Sequence, residues 1–169
     1  MEDLLVQIEA EIPALRRYAR VLLRDADAAD DLVQDCLVRA LSRLHLWRRP
    51  GNLRSWLFTI LRRIELNQKR SVARHPPPLP LGDDDEPSVA SEQISRIEAA
   101  ETLEAFARLP QEQREVLFLV VVEGLRYREA AALLDISIGT VMSRLARGRE
   151  RLRELVDAPG RAPRLRRIP

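Results

Sequence analysis

The stretch from Tyr127 to Arg153, YREAAALLDISIGTVMSRLARGRERLR, decides how the C-terminal half of this 169-residue chain folds. It opens with a short apolar-periodic segment in which the small residues Ala130 and Ala131 let a second helix cross closely. A turn at Asp135-Ile136 follows, and Ser137 is placed to cap a longer, arginine-rich helix. Two helices joined in this way form a helix-turn-helix, whose second helix can enter a DNA major groove. With Val141 as origin and steps of about 100° per residue, Leu145, Gly148, Leu152 and Leu155 stay on the buried side. Met142, Ser143, Ala146, Arg147 and Glu150 fall on the opposite side. Arg147 is the best candidate for a base edge, since a guanidinium matches the two acceptors of guanine. Thr140, Arg144 and Arg149 flank that face and suit phosphates. The bland alternative is an amphipathic helix whose arginines merely keep it solvated.

Working back toward the N-terminus, Val116, Leu117, Leu119 and Val120 predict another helix, with Gly124 placed as its C′ residue. Ile94, Ile97, Leu103 and Phe106 predict one more, stopped near Pro110. Before it lies ARHPPPLPLGDDDEPSVAS, residues 73–91, with five prolines, four consecutive acids and no helical period, which reads as an exposed linker. In the first half, Leu4, Leu5, Ile8 and Ile12 begin an apolar stripe that Leu15, Ala19 and Leu22 continue past Pro13, a residue suited to a helix first turn. Asp27 is the expected cap of a second helix with the stripe Leu32, Val33, Cys36, Leu37, Ala40, Leu41 and Leu44. Pro50-Gly51 breaks the chain, and Asn52 can cap a third helix carrying Leu53, Trp56, Leu57, Ile60, Leu61 and Ile64. No strand pattern competes. The expected fold is all-α, with two small helical domains: a helical bundle at 1–72, a flexible Pro/Asp-rich linker at 73–91, a helix-turn-helix domain at 92–157 and a basic tail at 158–169.

The net charge of +2 hides segregation. Residues 1–42 carry five basic and nine acidic side chains, while 43–74 carry nine basic against the single acid Glu65. Residues 83–104 hold eight acids against one arginine, and 137–169 hold nine arginines against three acids. Two basic blocks separated by an acidic one predict two polyanion-facing surfaces on separate modules. The longest apolar run, Val116 to Val122, is seven residues, far short of a bilayer span. Glu2, Asp3, Glu9 and Glu11 are not what a signal or transit peptide carries. The lone Cys36 cannot close an intrachain disulfide, and with His45 and His75 it makes no zinc site. No nucleophile–base pair, metal cluster or glycine-rich phosphate loop stands out, so neither cofactor nor enzyme is expected.

Four stretches, DLVQDCLVRAL at 31–41, NLRSWLFTILRR at 52–63, LPQEQREVLFLVVVEGL at 109–125 and ISIGTVMSRLARGRERL at 136–152, together resemble the extracytoplasmic-function (ECF) group of sigma-70-family RNA polymerase sigma factors. The order and spacing also match, and the opening IPALRRYARVLL is similar to the group's general-stress-response branch. The resemblance implies a cytoplasmic, non-enzymatic transcription factor, monomeric when free. Its partners would be promoter DNA, core polymerase through the β′ clamp coiled coil and the β flap, and an anti-sigma factor. It assigns polymerase binding to the outer face of the second helix, Asp31, Gln34, Asp35, Val38 and Arg39. It assigns −10 recognition and strand opening to the loop and helix of the basic block: Arg48, Arg49, Asn52 and Arg54 around a flipped base, then Arg62, Arg63, Asn67 and Arg70 along phosphates and upstream bases. The −35 element would fall to Thr140, Met142, Ser143, Arg144, Ala146, Arg147 and Arg149. Trp56 belongs to the apolar stripe; Trp47 stands at the loop entrance.

Three features depart from the family pattern. Met142 replaces a common basic residue, Ala146 is small, and Arg126 takes the place of a serine cap, a loss of ~1 kcal/mol. The nineteen residues of 73–91 span at most roughly 65 Å extended, against about 70 Å for two turns of DNA. A decoy that sequesters an anti-sigma factor is the alternative function, and a dimeric repressor would leave the first module unexplained.

Overall fold

The computed structural model describes residues 2–23, 25–47, 52–74 and 102–157. These form α1 (Glu2–Leu22), α2 (Ala26–Ser42), a single 3₁₀ turn (Leu44–Leu46) and α3 (Leu53–Arg74). A short helix α4 at 102–107 follows. Then come α5 (Gln111–Leu117), running on as a π-helical segment Phe118–Val122, α6 (Tyr127–Leu134) and α7 (Ile138–Asp157). Among the described residues there is no strand. The expected positions Ile94 and Ile97, the stretch 75–101, Arg48, Arg49 and the tail lie outside the described residues.

Local chemistry sets the helix ends. Asp25, not Asp27, is the cap of α2, its carboxylate accepting the Ala28 N–H at 2.9 Å. Asn52 caps α3 by accepting from the Ser55 N–H at 3.2 Å, and Ser137 caps α7 by accepting from Thr140 N–H at 3.0 Å. Arg126 has no acceptor to offer α6, and the Glu129 carboxylate takes the Arg126 backbone N–H instead, at 2.8 Å. Gly124 holds φ +69, the left-handed C′ conformation expected of it. Pro13 does not start a helix but sits inside α1. An interior proline costs about 3 kcal/mol. The turns after it bury Ala14, Leu15, Tyr18, Ala19 and Leu22, and this packing offsets the loss.

α1, α2 and α3 pack on one another around Leu15, Tyr18, Leu32, Cys36, Leu57, Phe58 and Leu61, all fully buried. The α2 stripe is narrower than expected, since Leu41 lies exposed, and Leu103 is exposed rather than on a core face. Trp56 is half-buried against the core and Trp47 half-buried at the loop entrance. In the second unit α5, α6 and α7 enclose Leu109, Val116, Leu117, Ala130, Ala131, Val141 and Leu145.

Nothing in the periodicity announces the next feature: the two units are packed against each other. Phe118, Leu119, Leu125 and Leu133 of the second unit belong to the same buried cluster as the first unit's core. The Tyr18 ring stacks on Phe118 with centroids 5.8 Å apart and planes 3° from parallel, and touches Phe58 at 4.9 Å.

Burial pushes the Cys36 thiol up to about 12. Only the thiolate attacks disulfide reagents. The folded chain should therefore leave Ellman's reagent unreacted at mildly alkaline pH and release its thiol equivalent on unfolding in guanidinium. Rapid reaction of the folded chain would show that the α2–α3 core is not closed.

Candidate nucleic-acid interface

The helix-turn-helix is shaped by two tight spots. Asp135, between α6 and α7, holds φ 54, a left-handed conformation that aspartate tolerates better than most residues. Gly148 lies where α7 crosses α5: a Cβ there would sit 2.8 Å from Leu117 Cδ1 and 3.3 Å from Gln113 Cβ, so only glycine permits this crossing unshifted. The expected inner face is buried at Val141, Leu145 and Gly148 and half-buried at Leu152 and Leu155. Opposite it, Met142 (54% exposed), Ser143, Ala146, Arg147 and Glu150 all face outward, with Arg149 beside them. Two flanking residues are committed elsewhere. Thr140 Oγ1 lies 2.8 Å from Ser137 Oγ, and Arg144 reaches back to Glu112 of α5 at 2.7 Å, bracing the helix.

On α2, Asp31, Gln34, Asp35, Val38 (69% exposed) and Arg39 all point outward, forming one continuous mixed face. A shallow depression lined by Asp35, Arg39, Ile64, Asn67, Gln68 and Ser71 connects this face to α3. A neighbouring one is lined by Asn67, Arg70, Ala73 and Arg74. Of the residues expected at a −10 site, Arg63, Asn67 and Arg70 are exposed along this side of α3. Three others meet acids of the second unit instead. Asn52 Nδ2 donates to Glu129 at 2.9 Å. Arg54 donates through Nε to Glu11 of α1 at 2.6 Å and through Nη1 to Glu123 at 3.2 Å. Arg62 pairs through Nη1 with Glu65 on its own helix at 2.6 Å and through Nε with Glu115 at 2.8 Å.

The two arginines thus repeat one motif, each bridging an acid of its own unit and an acid of the other. Glu123 is completed by Arg17 at 2.8 Å and Glu115 by the Tyr18 hydroxyl, which donates to it at 2.8 Å. Eight residues of ideal α-helix would turn Glu123 about 80° away from Glu115. Winding Phe118–Val122 in the wider π form, with its i→i+5 bonds, turns the chain less per residue and so reduces that offset. The π segment is therefore what aims both carboxylates at the first unit. The pattern of apolar residues misses these acids, yet three of them leave a trace in the sequence. Glu115 and Glu123 flank the seven-residue apolar run, and Glu65 is the lone acid in the basic block.

Burial raises the Glu115 carboxyl above the ordinary carboxylate value, against the pull of Arg62 and the Tyr18 hydrogen bond. The Tyr18 hydroxyl is likewise raised well above its usual value by burial and by Glu115. Hydrogen bonding to Glu11 raises Arg54 further, so this guanidinium stays charged. A carboxyl whose folded pKa is raised contributes stability that is complete below its unfolded value of 4.5 and fades as pH rises through the folded one. Glu115→Gln has no such titration. Its urea midpoint should gain on wild type as pH climbs from 4.5 toward neutrality; parallel profiles would deny Glu115 a raised pKa.

Residues 8–62 match the family model described as the sigma2 domain of PhyR, and residues 99–152 match sigma-70 region 4. The ECF RNA polymerase sigma factor EcfG of Rhodopseudomonas palustris is 38% identical over 159 residues, covering 90% of this chain and 84% of EcfG. Among solved structures, the sigma factor RpoE of Bartonella quintana, seen with the anti-sigma factor NepR, superposes with a TM-score of 0.76 at 31% identity, over 94% of this chain and 99% of that one. CnrH, seen with the cytosolic domain of CnrY, superposes with a TM-score of 0.62 at 29% identity, over 90% and 86% of the two chains. With a region-4 helix-turn-helix presenting its outer face and a sigma2 bundle beside it, the chain belongs to the ECF group of RNA polymerase sigma factors.

Proposed function

We propose that this sigma factor acts as a promoter-specificity subunit with three separate surfaces. The outer face of α2, with Asp31, Gln34, Asp35, Val38 and Arg39, docks on core RNA polymerase at the β′ clamp. The outer face of α7 reads the −35 element, with Arg147 on a base edge, Arg149 on phosphate, and Met142, Ser143 and Ala146 in the groove. Arg63, Asn67 and Arg70 on α3 follow the −10 strand, joined by Asn52, Arg54 and Arg62 and by Arg48 and Arg49. Thr140 and Arg144 hold α7 in place more than they touch DNA. The single observation that carries this reading is the α7 face: fully outward, basic, and pinned from behind by the Gly148 crossing. The chain supplies positioning and charge rather than chemistry, and works in the cytoplasm, where the polymerase is. An anti-sigma partner is supported by the solved relatives RpoE and CnrH, captured with NepR and with CnrY.

A decoy for an anti-sigma factor is the second reading, favoured by the match of residues 8–62 to the sigma2 domain of PhyR. A decoy would have no use for outward arginines on both α3 and α7.

Run-off transcription separates the two. Purified chain plus core polymerase should initiate from a cognate promoter, whereas a decoy would leave the polymerase silent. Arg147→Ala should cost about 1–3 kcal/mol of discrimination at one −35 position; unchanged promoter choice would remove Arg147 from the reading face. Arg63→Ala should slow strand opening, read by permanganate reactivity of −10 thymines, and unaltered reactivity would exclude that role.

A further inference from the structure

The outer face of α7 carries more than arginine. Ile138, Met142 and Ala146 succeed one another at four-residue steps and all are exposed, Ile138 by 42% and Met142 by 54%. Four steps of about 100° return to nearly the same direction, so the three form one apolar strip along the first turns of the helix. Among the described residues, neither Ile138 nor Met142 belongs to a buried cluster. We infer that this strip sets base preference within the −35 element: Met142, flanked by Ile138 and Ala146, packs on the 5-methyl group of a thymine in the major groove. The inference rests on the −35 reading of α7 and deepens it, adding an apolar determinant beside Arg147.

Position, charge and backbone all favour a base edge as the occupant of this strip. It lies at the N-terminal half of the second helix, the part of a helix-turn-helix that reaches bases. Arg149 and Arg153 continue the same edge of α7, and both are exposed. An apolar strip running into two guanidinium groups fits a groove floor with phosphates beyond it, whereas an apolar protein surface would leave those charges unmatched. Gly139, between the strip and Ser143, is exposed and does not hold a positive φ. A Cβ there would meet nothing nearer than Ser137 Oγ at 3.8 Å, so the protein's own packing does not ask for glycine. A bare backbone at that point lets a base pair come close. The thioether then selects the base. Its sulfur is only a weak acceptor, so it cannot sort the hydrogen-bonding groups of the four base pairs. Thymine alone adds a methyl group to the major groove, and an unbranched, adaptable side chain suits it. Arg147 lies about 140° around the helix from Met142, so guanine and thymine are addressed from opposite edges of one helix.

Deoxyuridine provides the test, because it keeps every hydrogen-bonding group of thymine and removes only the methyl. Holoenzyme is reconstituted from the full chain and core polymerase, and a promoter that it transcribes is selected from a pool. Each −35 thymine on either strand is replaced in turn by deoxyuridine, and the altered promoter competes with the unaltered one for wild-type and Met142→Ala holoenzyme. Wild type should bind the altered promoter about fourfold more weakly at one thymine or more, the factor expected for one buried methyl. Met142→Ala should bind the thymine and deoxyuridine forms equally at that same position. A side chain that only supported α7 would weaken both forms alike and leave their ratio as in wild type. No penalty at any −35 thymine, or a penalty that persists undiminished in Met142→Ala, would overturn the apolar determinant while the −35 role of α7 stands. Wild-type holoenzyme silent on every promoter would overturn the promoter reading, and the thymine contact with it.

Discussion

Arg62 lies between two carboxylates that have lost their water, Glu65 one turn away on the same helix and Glu115 on another unit. Removing one partner from a buried ion pair costs on the order of 3–5 kcal/mol. This constraint explains much of the rest. Glu115 must face α3, so α5 must lie along the first unit with Phe118 against Tyr18. Glu123 must face the same way eight residues later, which a straight α-helix does not allow and the π segment does. The seam thus joins these charge pairs to an apolar patch, Phe118, Leu119, Leu125 and Leu133, that is continuous with the first unit's core.

Arginines of one type meet two fates in this chain. Among the described residues no acid of another element pairs with Arg147 or Arg149 of α7, and both are exposed. Arg144, only three residues from Arg147, meets Glu112 and becomes a brace. On α3 the same division runs between Arg63 and Arg70, which are exposed, and Arg62, which is folded under the second unit. A residue's availability for DNA is therefore a property of its opposite neighbour as much as of its own position.

The helices, their order and most of their caps were legible in sequence. Ser137, Asn52 and Gly124 stand where the capping rules put them, because a cap acts within one helical turn. The outward face of α7 was equally legible, since buried Val141, Leu145 and Gly148 follow the 3.6-residue period. Misplaced features were those with near-equal local alternatives: Asp25 and Asp27 are equally good caps, and Pro13 reads as a helix start until the packing of Tyr18 and Leu22 is known.

The sequence by itself determined an all-α chain of two helical units with basic faces, and its four motifs placed it among ECF sigma factors. Only the tertiary structure decided which of those basic residues face solvent. Helical period and capping are local, read from residues within a turn of each other. The contacts Tyr18–Glu115, Arg62–Glu115 and Arg54–Glu123 join residues far apart in the chain, which no period relates. Their pairing follows from burial, which leaves an acid on one unit only the donors that packing sets beside it.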